Sequence, residues 1–451
     1  MDLNKIRQNT TGMILQFSIP AIIAMVLTSL ITVVDGFFIG NYVGEDGIAA
    51  VNLGLPIIYL FLSIGLMVSV GGVAIAGMSL GAGDRTACNQ VFCQTIVTTT
   101  VFSMLTGMMV ALFFEPMLNI LGAEAMVRTH FKTYYGILLL ELIVMVVNSA
   151  FGMFIRGEGN PQYYMKVNIV SVLTNIVLDY VFAVVLHIGI AGIALASLLS
   201  ELVSFVLIIY FFLRKAKVYQ LGRFSYSVSV LKRTLLNGSS EFIGEMSTGI
   251  AMFTYNYVIM RRIGVDGVTA FTIVGYVSYV FSMIIVGFGQ GASPLISFSY
   301  GAKEHKLAKR IRKKTNGFVF AIGAATFLVM MLLAEWYSGL FVKNITIQKM
   351  VQSGMMIFMI SFFFSGMNAI TSFYFTSIGK ALESAIISLA RGLVVLLACI
   401  FVLPAFFGMT GVWLAAPVTE IITICISIWM VRRDTMVYRD TMVSQHTTDI
   451  I

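Results

Sequence analysis

Apolar stretches long enough to cross a bilayer recur about twelve times along this 451-residue chain. They run over 13–40, 48–80, 91–114, 133–155, 164–186, 190–213, 234–260, 268–300, 316–342, 350–378, 384–406 and 410–432. Each reaches the ~20 residues that a helix needs to span the hydrocarbon. A segment in lipid has to satisfy its own backbone hydrogen bonds, which confines such a chain to helices. The expected fold class is therefore an all-α polytopic membrane protein. Composition agrees, with 58% hydrophobic and 11% charged residues, where a soluble domain carries roughly 25% charged. The net charge of +8 does not point to nucleic acid, because no polar domain carries it. The first apolar run is too long for a cleaved signal peptide. Cys88, Cys93, Cys399 and Cys425 show neither a disulfide framework nor metal-ligand spacing and are read as small buried residues.

The basic residues set the expected orientation. Numbering the loops and assigning alternate sides puts about four-fifths of the 29 Lys and Arg on one side. That side holds Lys5, Arg7, Arg85, Arg156 and the run Lys303–Lys314, whereas the other holds Arg128, Lys132, Arg261, Arg262, Lys343 and Lys349. The positive-inside rule makes the rich side cytoplasmic, with both termini inside a plasma (inner) membrane.

The chain also repeats itself. A shift of 220 residues lays YVGEDGIAAV (Tyr42–Val51) on RIGVDGVTAF (Arg262–Phe271), Gly71 on Gly291, Gly81 on Gly301, and Gly159 on Gly379. One gap later Glu201 falls on Glu420. Two lobes of six helices related by pseudo-two-fold symmetry follow: 1–213 and 234–433, a cytoplasmic linker 214–233 and a tail 434–451. Two similar lobes facing a cleft is an arrangement that alternating-access transporters use. Gly-rich turns are predicted in HIGIAG and FFGMTG, and a helix break at Pro294.

Polar residues inside the spans carry the function. Asp35 lies in the first, and Asn175 and Asp179 lie four residues apart on one face of the fifth. A charged side chain at bilayer depth costs about 2.5–3.5 kcal/mol or more, so it faces a protein interior or an aqueous path. Asp35 and Asp179 are read as ion-coupling acids exchanging a cation for a substrate, with Asn175 holding a protonated carboxyl or offering its oxygen to Na⁺. The structural alternative is that they only tie helices together. Glu241, Glu245, Gln290, Glu141, Asn148 and Asn368 are candidates for a substrate site or a second cation site, although Glu241 would also suit a helix N-terminus. Glu201 and Glu420, at matching positions, are expected to share a structural role. Tyr134, Tyr135, Trp336 and Tyr337 are expected to anchor at the membrane interface. Arg391 is the basic residue read as lying within an apolar span.

VVDGFFIG (Val33–Gly40), SLGAGD (Ser79–Asp84), RGEGNP (Arg156–Pro161), NIVLDYVF (Asn175–Phe182) and GFGQGASPLISFSYGA (Gly287–Ala302) come in an order and spacing that resembles the multidrug and toxic compound extrusion (MATE) family. The resemblance covers nearly the whole chain. It implies a twelve-helix antiporter that expels bulky, often cationic compounds against H⁺ or Na⁺. In the family's DinF-like branch, coupling belongs to residues matching Asp35, Asn175 and Asp179. The NorM-like branch adds an acid in the tenth helix, where this chain has Asn368 instead, so the chain looks closer to DinF-like members. The expected partners are small organic cations and membrane lipids, without nucleic acid, acting on a monomer. No cofactor is expected beyond the coupling ion. A lipid-linked oligosaccharide flippase is the alternative, but its pyrophosphate would want a basic cavity. An enzyme is not expected, because no HExxH, GxSxG or GxxxxGK[ST] occurs.

Overall fold

Every predicted span is a helix in the computed structural model, which describes residues 1–120 and 124–448, with side chains to 436. The tail 434–451 thus lies largely outside the described side chains. The first part of the chain forms α1 (Leu3–Gln8), α2 (Thr10–Tyr42), α3 (Glu45–Leu53), α4 (Leu55–Gly81), α5 (Arg85–Ile120), α6 (Ala125–Glu158), α7 (Pro161–Asp179) and α8 (Ile190–Arg214). The second forms α9 (Val228–Arg262), α10 (Val265–Gly301), α11 (His305–Phe341), α12 (Ile345–Phe358), α13 (Phe362–Ser377), α14 (Ala381–Leu389) and α15 (Val395–Thr448). Among the described residues ten helical stretches are long and apolar enough to cross a membrane. One of them, Ala381–Met436, is two helices joined across a non-helical Gly408. The remaining long helix, α9, is made too polar for that group by Lys232, Arg233, Glu241, Glu245, Arg261 and Arg262. The chain is a multi-pass membrane protein.

Backbone geometry repeats with the sequence. Positive φ occurs at Gly44 and Gly264, Gly83 and Lys303, Gly159 and Gly379, and Gly189 and Gly408. The first three pairs are 220 residues apart and the last 219. Gly159 shows why the type is needed: its φ of 102° ends α6 in the left-handed conformation, and Pro161 starts α7 at once. Gly189 and Gly408 are the two predicted turns. Pro294 does not break its helix, contrary to expectation. α10 continues to Gly301 because Gly287 and Gly291 seat it directly on α2, where an added Cβ would lie 2.6 and 2.5 Å from the Cα of Ile22 and Ser18. Proline in a membrane helix is tolerated where neighbours hold the backbone. α2 likewise runs through Pro20.

The chain folds as two units. One comprises Met1–Gly249, Ser282–Thr315 and Phe373–Ala381; the other comprises Ile250–Phe281, Asn316–Ser372 and the chain from Leu382 onward. In the first, α4 packs on α5 and α6, α7 on α2, and α8 on α6 and α7. The segment after α8 is stitched to this bundle. Glu158 accepts the backbone N–H groups of Lys217 and Val218, Asn89 accepts that of Gln220, and Gln94 both donates to and accepts from the Ser227 backbone. Tyr219, fully buried, packs against Phe92 and Phe154 with centroids 5.4 and 5.0 Å away. Tyr219→Ala is expected to cost about 3–5 kcal/mol, read as a lowered thermal midpoint; an unchanged midpoint would show the segment to be dispensable. In the second unit Trp413, 1% exposed, stacks near Phe271, and the rings of Phe281 and Phe362 stack at 4.1 Å.

Two expectations are corrected here. Tyr134 and Tyr135 are buried, not interfacial. The short helix α3 covers this place, and the Tyr135 hydroxyl donates to the Val51 carbonyl at 2.7 Å while its ring fills the space that Gly54 leaves open. Trp336 is exposed, as an anchor would be, while Tyr337 donates to the Ile273 carbonyl at 3.0 Å. Of the cysteines, Cys425 is exposed and the other three are buried.

Candidate ion-binding site

α2, α7 and α8 bring three of the sequence-predicted residues together. Asp35 on α2 is 8% exposed, and Asn175 and Asp179 on α7 are fully buried. Asn175 Nδ2 donates to Asp35 Oδ1 at 3.4 Å, and the Ser197 hydroxyl of α8 donates to Asp35 Oδ2 at 3.1 Å. Asn175 also reaches Ser197 Oγ at 3.4 Å. Tyr180, the next residue, points away and is 55% exposed. Sequence reading missed Ser197, whose only signal is its place one helical turn before Glu201.

The site is short of donors. Neither oxygen of Asp179 meets an N–H or O–H among the described residues, and Asn175 Oδ1 is likewise unpartnered. The Asp35 carboxyl lies within hydrogen-bonding reach of Asp179. Two buried carboxylates in contact cannot both hold their charge without a proton or cation between them. The cluster is therefore built of acceptors that a positive species would satisfy.

The other candidates lie elsewhere. Glu141 is buried on α6, and Asn148, two turns on, donates to Glu201 Oε2 at 2.6 Å and to the Glu201 carbonyl at 2.9 Å. In the second unit Asn368 donates to Glu420 Oε2 at 2.7 Å and to its carbonyl at 3.0 Å. The matching acids thus receive matching amides. Arg391 adds hydrogen bonds to Glu420 Oε1 at 3.0 and 3.3 Å. Glu241 and Glu245 are half-buried on α9, a turn apart. Gln290 accepts from Arg156 Nη2 at 2.9 Å beside a cavity of about 10 Å³.

Arg156 corrects another expectation. It is not a loop residue: it lies in the last turn of α6 at 2% exposure, with its guanidinium 5.0 Å over the Tyr164 ring. Arg156 is thus a basic group buried in the protein. On the opposite ends of α5 and α6, Arg128 and Lys132 both pair with Glu115, which offsets basic charge on the side predicted to be poor in it.

The MatE family model matches residues 20–181 and 243–401, one stretch in each repeat. The chain belongs to the MatE family. Its MatE relatives include the "Multidrug export protein MepA" of Staphylococcus saprophyticus, 23% identical over 91% of this chain and 90% of that one. The MepA protein of Staphylococcus haemolyticus is also 23% identical, with the same coverage. Among solved structures, an outward-facing multidrug resistance MATE family transporter superposes with a TM-score of 0.89 at 23% identity, over 95% of this chain and 96% of that one. A MOP superfamily transporter from Pyrococcus furiosus gives 0.87 at 23% identity, over 93% and 95%. At this identity the likeness establishes the MatE fold and no more.

Proposed function

We propose that this MatE protein is a secondary active exporter of organic, often cationic compounds, driven by exchange against H⁺ or Na⁺ through alternating access. The observation that carries the reading is the Asp35–Asn175–Asp179–Ser197 cluster, in which both Asp179 oxygens and the Asn175 side-chain oxygen are buried without a donor among the described residues. Multidrug export by the MepA relatives supports the substrate class. The lobes would be 1–213 and 234–433, with both termini cytoplasmic, in a monomer of the plasma membrane. Asn368 bonded to Glu420, in place of an acid in that helix, favours coupling in the first lobe and a DinF-like assignment.

An ion that binds the two access states equally drives nothing, so the cluster has to hold it more tightly in one of them. In the outward-open state an external H⁺ or Na⁺ would engage Asp35 and Asp179, displace the drug and permit return. The test is efflux of a fluorescent cation from proteoliposomes under a pH gradient and a Na⁺ gradient imposed separately. Efflux under either gradient supports antiport and names the ion. Failure under both, across several cations, would move the reading to a lipid-linked oligosaccharide flippase.

A further inference from the structure

The two repeats make the same amide–carboxylate clamp but neutralise it differently. In the second unit the clamp is complete. Glu420 has Arg391 as counter-ion, and the Asn368 side-chain oxygen accepts the Ser427 hydroxyl at 2.9 Å. The repeat register replaces both partners in the first unit: Ser171 stands where Arg391 would, and Ile208 where Ser427 would. A third exchange adds charge, since Glu141 occupies the position of Ser361. The first clamp has therefore lost a cation and a hydroxyl donor and gained an acid.

The consequences are visible atom by atom. Asn148 is 3% exposed, and its Oδ1 has no hydrogen-bond partner among the described residues. Glu141 is 8% exposed and lies within electrostatic range of Glu201 and Asp35. Among the described residues no basic side chain pairs with Glu141 or Glu201. Two acids and an orphaned amide oxygen in a membrane interior are acceptors only.

We propose that Glu141, Glu201 and the side-chain oxygen of Asn148 form a second site in the first lobe that binds one positive charge, a proton carried by the acids or a Na⁺ ion. Ser197, which donates to Asp35, and Glu201 lie four residues apart on α8, so the second site sits one helical turn along from the first. A charge leaving Asp35 and Asp179 meets its next acceptor there. Other groups facing these acids are Tyr134, in range of Asp35, Glu141 and Asp179, and Tyr164, which faces Glu201 and carries Arg156. The role as a relay rests on the ion-exchange reading of the first site; the binding of a charge does not.

Infrared difference spectroscopy of the full chain in lipid nanodiscs, following the protonated carboxyl stretch across pH in Na⁺ and choline buffers, tests this. The expected result is that Glu141→Gln removes a titrating component that Asp179→Asn leaves in place. Glu201→Gln does the same if Glu141→Gln fails to fold. Arg391→Ser, which strips the counter-ion from the second clamp, gains a component. Suppression of the Glu141 component by Na⁺ but not choline identifies the metal ion, and insensitivity to both identifies the proton. A wild-type titration in both glutamine variants, with the Asp179 component still lost in Asp179→Asn, overturns the second site alone. Loss of no component in any of the three variants overturns the first site as well. No gain in Arg391→Ser removes the argument from the counter-ion.

Discussion

Asp179→Asn gives a folded protein whose gradient-driven efflux falls to that of protein-free vesicles. The side chain is fully buried, and neither carboxylate oxygen has a donor among the described residues. An amide of the same shape mimics the protonated acid but cannot release the proton. Removing a buried charge that has no partner relieves its desolvation cost, so the thermal midpoint should stay level or rise. The two readouts separate function from fold: efflux collapses while stability does not. Asp35→Asn should lose efflux as well: Asn175 donates to the one remaining oxygen, and the Ser197 hydroxyl turns to the Ile193 carbonyl and accepts from the new amide. Full efflux by Asp179→Asn in proteoliposomes would remove α7 from the coupling site.

The other large effect is expected at the crossing of α4 and α10. A Cβ on Gly81 of α4 would lie 2.1 Å from the Phe298 carbonyl oxygen, and one on Gly301 of α10 would lie 2.0 Å from that of Met78. These obstacles are backbone, which cannot swing aside like a side chain. Gly81→Ala or Gly301→Ala should each cost about 1–3 kcal/mol or more through overpacking. The double variant should cost less than the two together, by about 0.5–3 kcal/mol in a double-mutant cycle, because the first alanine already forces the helices apart. Thermal melts of the three variants in one detergent measure this, and strict additivity would mean that the two glycines do not share a contact.

The sequence carried much of this because membrane helices are written in long, unmistakable runs and because a duplication leaves its register behind. Asp35, Asn175 and Asp179 stood out since a carboxylate inside an apolar helix needs a reason. Ser197 did not, because a serine in a membrane helix commonly bonds its own backbone, as Ser197 also does to the Ile193 carbonyl at 3.3 Å. The burial of Tyr134 and Tyr135 depends on where α3 lies over α6, and that is set by tertiary packing. Arg156 read as topology charge because its depth is fixed by the packing of α6 on its neighbours, beyond the reach of hydropathy. Pro294 misled for a related reason: its local preference to break a helix yields to the close seat that glycines give α10 on α2.

The glycine crossing has one more implication. Met78 and Phe298, like Gly81 and Gly301, are related by the same 220-residue shift. Gly81 meets Phe298 while its counterpart meets Met78, so position i touches j′ and position i′ touches j. That reciprocity is the signature of an isologous dimer contact, here made within one polypeptide. A half-length ancestor could have formed the same crossing with its own twin, before any linker joined the copies. With both copies in one chain each can differ from the other, as the clamps do: one has an arginine and the other a second acid.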